Sequence, residues 1–118
     1  MTKPAPTAHG ADFDLAEVDR ELRQEAAYAR DGHTARTLVR EPDLRVVLVV
    51  MRGGGKIAEH RAHETASIHA LGGHVRLRIE NQLVHLTAGK LLVIAPELRH
   101  EVEALADSAF LLTLPQPR

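Results

Sequence analysis

The segment VRLRIENQLVHL, residues 75–86, carries the pattern that decides the fold. Apolar and charged residues alternate strictly from Val75 to Glu80, which is typical of a strand with one buried face. Asn81-Gln82 predicts a tight turn, and Leu83–Leu86 follows as the second strand of a hairpin. The segment therefore indicates a domain that is rich in β structure.

Strand patterns continue on both sides of this hairpin, between turn residues such as Gly53-Gly54-Gly55 and Ala95-Pro96. The run LRVVLVVM at Leu44–Met51 is apolar on both faces, so each face needs a cover. The other predicted strands are Thr34–Arg40, Lys56–His60, Ala66–Leu71, Leu91–Ile94, His100–Leu105 and Ser108–Leu114. Roughly eight or nine short strands with regular turn signals predict an all-β sandwich or barrel, such as a jelly roll around one cavity.

One amphipathic helix is predicted ahead of the strands, over residues 15–30. Asp14 is the expected N-cap with Glu17 as its capping-box partner, and Gly32 suits the left-handed position that ends a helix. Apolar residues recur at helical spacing between these ends. The expected organisation is a flexible tail over 1–11, a helical segment over 12–33 and a β-barrel over 34–118.

The composition argues against several classes of function. The chain of 118 residues has a net charge of -1, and 3% of its residues are aromatic with no tryptophan, which argues against nucleic-acid binding. There is no cysteine, so disulfides and thiolate sites are excluded. No apolar run approaches the ~20 residues of a membrane span, and the N-terminus has no signal core, so we expect a cytoplasmic protein without a membrane partner. The eight histidines point instead to metal or proton chemistry.

Two stretches resemble the two motifs of the cupin superfamily. GKIAEHRAHETASIHALGG at 55–73 places His60 at the first histidine of G-x5-H-x-H-x(3,4)-E-x6-G and Gly73 at its closing glycine. GKLLVIAPELRHEVEA at 89–104 places His100 at the histidine of G-x5-P-x-G-x2-H-x3-N. The resemblance implies an all-β double-stranded β-helix, a jelly-roll cupin barrel that is usually dimeric and often holds one divalent metal ion.

The resemblance is incomplete at the metal-ligand positions. Ala62, Ala66 and Ala104 stand where the motifs have the second histidine, the glutamate and the asparagine, and Glu97 replaces the turn glycine of the second motif. Of the usual four ligands, only the two motif histidines keep their places.

We expect His60 and His100 to point into one cavity and to share one divalent ion. Imidazole suits Fe, Zn, Ni, Mn and Cu, so the sequence does not select the metal. A third ligand would come from His63 or His69. His63 serves only if the chain turns at the two residues before it, and otherwise lies in a solvent-facing loop. His69 lies in an apolar run, where a hydrogen bond to a backbone carbonyl or to a neighbouring chain is the alternative role.

The sequence is compatible with two functions. One is a metal-dependent enzyme that acts on a small molecule in the barrel cavity, with Arg61 and Arg99 as candidates to meet a substrate carboxylate at its mouth. The other is a ligand-binding or sensing protein without metal, because the three alanines leave a more apolar cavity. One face of Leu44–Met51 must be covered by the helix or by a second subunit. Because the resemblance implies that small cupins usually pair through their sheets, a homodimer is expected for either function.

Overall fold

The computed structural model describes residues 10–115, and it contains two short helices followed by nine strands. The helices are α1 (Leu15–Arg23) and α2 (Ala26–Asp31). The strands are β1 (His33–Glu41), β2 (Leu44–Met51), β3 (Lys56–His60), β4 (Ala66–Gly72), β5 (His74–Ile79), β6 (Gln82–Thr87), β7 (Leu91–Ile94), β8 (His100–Ala104) and β9 (Ser108–Leu114). Most of the predicted tail, residues 1–9, lies outside the described residues, as does 116–118.

The strands form two antiparallel sheets. One sheet has the order β1-β2-β9-β4-β7 and the other has the order β3-β8-β5-β6. Strand β8 pairs with β3 on one side and with β5 on the other, although β3 and β8 are far apart in the sequence. This pairing brings the two histidine motifs together.

The main core lies between the two sheets. Side chains on alternate positions of each strand point inward, as the period of a strand requires. Leu77 and Met51 are fully buried there. The other buried members of this core are Val47, Val49, Ile68, Ala70, Val75, Leu86, Ile94, Val102, Ala104 and Phe110.

The helical segment covers the outer face of the five-stranded sheet. Val18 and Leu22 of α1 pack against Leu48 and Val50 of β2, which answers the need for a second cover on this strand. Neither helix of the described part of the chain is long and apolar enough to cross a membrane.

The predicted single helix over 15–30 is wrong in detail, because the chain has two helices that break at Gln24-Glu25. The caps are as expected: Asp14 accepts a hydrogen bond from the Glu17 backbone N–H at 3.2 Å, and Gly32 has a φ of 80° after α2. At the break, the Glu25 carboxylate accepts a hydrogen bond from the Thr34 hydroxyl at 3.1 Å. This tertiary contact with β1 ties the break to the sheet, and helical periodicity carries no signal of it.

The predicted hairpin forms between β5 and β6, with its turn one residue earlier than expected. Ile79 pairs with Gln82, so Glu80 and Asn81 make the turn. Glu80 adopts a positive φ of 50°, a backbone conformation that residues other than glycine seldom take.

Candidate ligand and metal site

His60 and His100 form the centre of the candidate site. They are direct cross-strand partners at one end of the β3–β8 pair. Their ring centroids are 4.2 Å apart, with an angle of 66° between the ring planes. The structure therefore brings together the two histidines that keep their places in the motifs.

Hydrogen bonds to the backbone orient both rings. The Nδ1 of His60 lies 3.0 Å from the Ala58 carbonyl oxygen, and the Nδ1 of His100 lies 3.1 Å from that of Leu98. A carbonyl oxygen only accepts, so each Nδ1 carries the proton and donates it. In the neutral rings, each Nε2 then keeps a free lone pair. Histidines that bind metals are usually oriented in this way, by a hydrogen bond from the other ring nitrogen.

Burial separates the two rings chemically. His100 is only 6% exposed, whereas His60 is exposed. Burial lowers the pKa of His100, and the nearby His60 lowers it further, against the opposing effect of the Leu98 carbonyl. His100 is therefore neutral at pH 7, with its Nε2 lone pair available to a ligand.

The lowered pKa of His100 predicts a pH-dependent loss of stability in metal-free protein. The unfolded chain takes up a proton below about pH 6.5, whereas the folded chain resists it. The stabilisation is thus fully present above this pH and is lost as the pH falls toward the lower pKa of the folded state. We expect urea unfolding at pH 7.5 and 5.0 to show a smaller pH effect in His100→Gln than in the parent. An unchanged pH effect in His100→Gln would contradict the assignment.

Both rings line a cavity at the open end between the sheets. Its volume is about 290 Å³, which is near the lower end of ligand pockets. A deeper space of about 110 Å³ adjoins the same two histidines and is otherwise lined by core residues such as Phe110. Besides the two histidines, the larger cavity is lined by Arg45, Ala62, His63, Glu64, Ala66, Leu112, Leu114 and Pro115.

His63 lies at the rim of this cavity but is directed toward solvent. Its side chain is 81% exposed, and its Nδ1 lies 2.6 Å from the Glu97 carboxylate. This hydrogen bond and the carboxylate charge raise the pKa of His63. Glu97 stands at the glycine place of the second motif and keeps a positive φ of 70° there. The side chain that replaces the glycine thus engages the histidine that was a candidate third ligand.

His69 lies on the opposite face of its strand from the cavity. Ala66, Ile68 and Ala70 of β4 are buried, and His69 between them is exposed. A side chain on the outer face of the sheet does not reach His60 or His100. The strand period, applied to β4, explains why His69 takes no part in this site.

The residues of the site match a divalent metal only in part. Two imidazole nitrogens are available side by side, but three or four protein ligands are usual. Within residues 10–115, no group of three histidine, aspartate or glutamate side chains is arranged to hold a metal ion. The site thus offers two oriented nitrogens and an incomplete ligand set.

The sequence does not single out Arg45, and it offers Glu64, next to His63, only as an acid or base candidate or as a surface charge. Both side chains line the cavity, and each has a buried polar atom, Nε and Oε2 respectively, without a hydrogen-bond partner in the described residues. Strand parity could have identified Arg45, because it shares the inward face with Val47 and Val49. Among the arginines that were candidates, Arg99 pairs instead with Glu80 at 3.4 Å, and Arg61 is exposed.

The comparison with known proteins gives matches in structure. No protein-family model matches this chain, and no curated protein sequence matches it. A protein of unknown function from Streptococcus pyogenes has a TM-score of 0.74 at 23% identity, over 100% of this chain and 97% of its own. A cupin-2 domain containing protein from Shewanella frigidimarina has a TM-score of 0.71 at 16% identity, over 87% and 93%.

A third structural match is a salicylate 1,2-dioxygenase from Pseudoaminobacter salicylatoxidans. Its TM-score is 0.79 at 16% identity, over 96% of this chain and 35% of the dioxygenase. The present chain therefore corresponds to about a third of that enzyme. A further match is itself described as a cupin superfamily protein, from Desulfitobacterium hafniense. Together with the two antiparallel sheets, these matches show that the chain has the cupin fold, as the two sequence motifs predicted.

Proposed function

We propose that this chain binds a small molecule in the cavity beside His60 and His100, and that these two histidines are its protein ligands for a divalent metal ion. The observation that carries the proposal is the pair of rings with both Nδ1 atoms tied to carbonyl oxygens. A bound metal ion would polarise a substrate oxygen or activate water or O2.

The roles of the surrounding residues follow from their positions. The carbonyl oxygens of Ala58 and Leu98 fix the orientation of the rings. Burial keeps His100 neutral and its lone pair free. Leu112 and Leu114 give the cavity an apolar wall, which favours a ligand with an apolar body.

Metal titration tests this proposal. We expect protein stripped with a chelator to bind Zn²⁺ or Mn²⁺ in calorimetry, and His60→Ala and His100→Ala each to weaken the affinity by about tenfold or more. His69→Ala is the matched control, because it removes an imidazole from the outer face of the sheet. Thermal unfolding of each variant checks that it is folded. Equal affinity in the parent and both site variants, or no binding in the parent, would reject the metal part of the proposal.

A non-catalytic ligand-binding or sensing role without metal is the second candidate. Ala62 and Ala66 line the cavity in place of motif ligands, and Ala104 is fully buried in the core. This role predicts ligand binding that a chelator leaves unchanged.

We further propose that the two sheets form a closed jelly-roll barrel over residues 34–118, preceded by a helical segment over residues 12–33. We also propose that the protein is a cytoplasmic homodimer. Leu91 and Val93 support the dimer, because both are more than half exposed on the edge strand β7. Light scattering would give twice the 13.0 kDa mass of one chain if the dimer forms.

A further inference from the structure

Arg45 and Glu64 of the cavity each have a buried polar atom without a hydrogen bond. Arg45 is half-buried, and its Nε is buried without a hydrogen bond. Glu64 lines the same cavity, and its Oε2 is in the same situation. Within residues 10–115, neither side chain forms an ion pair, with the other or with any further group.

Every other arginine within residues 10–115 is either paired with a carboxylate or exposed to solvent, and Arg45 is neither. Those that pair with carboxylates are Arg23, Arg30, Arg36, Arg76, Arg78 and Arg99. A guanidinium group that is partly withdrawn from water and left unpaired is costly, because it loses hydration and gains no counter-charge. Arg45 therefore presents an unused binding capacity for an anion.

The register of the sheet directs the Arg45 side chain into the cavity. Arg45 pairs with Leu114 across β2 and β9, and it shares the inward face of β2 with Val47 and Val49. The cavity that it lines also contains both histidine rings. A ligand that reaches Arg45 thus lies beside His60 and His100.

We propose that the cavity takes a small monocarboxylic acid with an apolar body, and that Arg45 binds its carboxylate. This inference rests on the ligand binding proposed above and gives the chemical class of the ligand. The guanidinium group has donors in a fixed fork that matches the two oxygens of a carboxylate. Leu112, Leu114 and Pro115 provide the apolar surface for the rest of the molecule.

The charge of Glu64 favours ligands that carry only one acidic group. Its carboxylate is close enough to line the same small cavity, so a second anionic group on the ligand would meet a like charge there. A dicarboxylate is therefore disfavoured. This property distinguishes the site from a general anion site, which would accept any negative ligand.

Three probes of similar shape test the proposal by NMR titration of metal-free protein. They are isovalerate, its neutral amide isovaleramide, and methylsuccinate, which carries a second carboxylate. We expect saturable binding of isovalerate and an affinity about tenfold or more weaker for isovaleramide, since a hydrogen-bonded charge is lost. Methylsuccinate is expected to bind more weakly than isovalerate in the parent and to gain affinity in Glu64→Gln.

Arg45→Met removes the charge and keeps the length of the side chain. We expect isovalerate affinity to fall about tenfold or more, with a midpoint of thermal unfolding that is unchanged or higher because an unpaired cation has been removed. Arg61→Met is the control, since it removes an exposed charge of the same sign from a residue that lies in the chain between two cavity residues, His60 and Ala62. A loss of affinity in Arg61→Met but not in Arg45→Met would overturn the assignment.

The outcomes separate this inference from the proposed function. Equal binding of isovalerate and isovaleramide in the parent overturns the carboxylate class but supports a ligand cavity. No saturable binding of any probe overturns the inference, while the metal titration of His60→Ala and His100→Ala stands as an independent result.

Discussion

Gly73→Ala is expected to destabilise the protein by about 4 kcal/mol, among the larger effects of a single substitution. The glycine has a φ of 79°, where a side chain is strained. An added Cβ would also lie 2.2 Å from the Asp107 carbonyl oxygen and 2.3 Å from the Ser108 hydroxyl. Backbone atoms have to move to make room, because most of these contacts belong to the main chain.

The displaced residue Ser108 is itself part of the structure. Its hydroxyl is buried, accepts a hydrogen bond from the His74 backbone N–H at 2.9 Å and donates one to the Ala106 carbonyl at 2.6 Å. A shift of Ser108 would break these bonds and leave buried polar groups unpaired. The loss would affect the start of β5 and of β9 together.

Urea unfolding of Gly73→Ala and Gly89→Ala measures this effect against a matched control. Gly89 has a φ of 91° but nothing within 4 Å of an added Cβ, so its substitution costs only the conformational strain, about 1 kcal/mol. Similar losses in the two variants would show that close approach at Gly73 is not the reason for the glycine.

The strands could be predicted well because their signal is local. Alternation and turn residues place all nine strands within one or two residues of their observed bounds. Leu44–Met51 was read as buried on both faces, and the structure covers its outer face with α1. Each of these inferences depends only on residues that are close together in the sequence.

The site was predictable only where a motif supplied the long-range information. The two motifs identified His60 and His100 as the histidines of one site, and the pairing of β3 with β8 brings them side by side. His69 was included because it is near in sequence, although its position on the outward face of β4 follows from the strand period. Glu64 lies between β3 and β4, where strand periodicity gives no orientation, so its place in the cavity was visible only in three dimensions.

Leu22→Ala is expected to lower the free energy of unfolding by about 3 kcal/mol, measured by urea unfolding. Leu22 is fully buried and packs with Val18 against Leu48 and Val50. Its truncation leaves a cavity and loosens the cover of the five-stranded sheet. A loss below about 1 kcal/mol would contradict the role of α1 as this cover.

Leu91→Ala provides the comparison on the uncovered part of the same sheet. Leu91 is 63% exposed in a single chain, so its truncation should change the stability by no more than about 0.5 kcal/mol if that surface meets only water. In a dimer that buries β7, the same substitution would cost as much as a buried leucine and would lower the mass found by light scattering. The two variants together show whether α1 alone, or α1 and a second copy of the chain, complete the cover of the sheet.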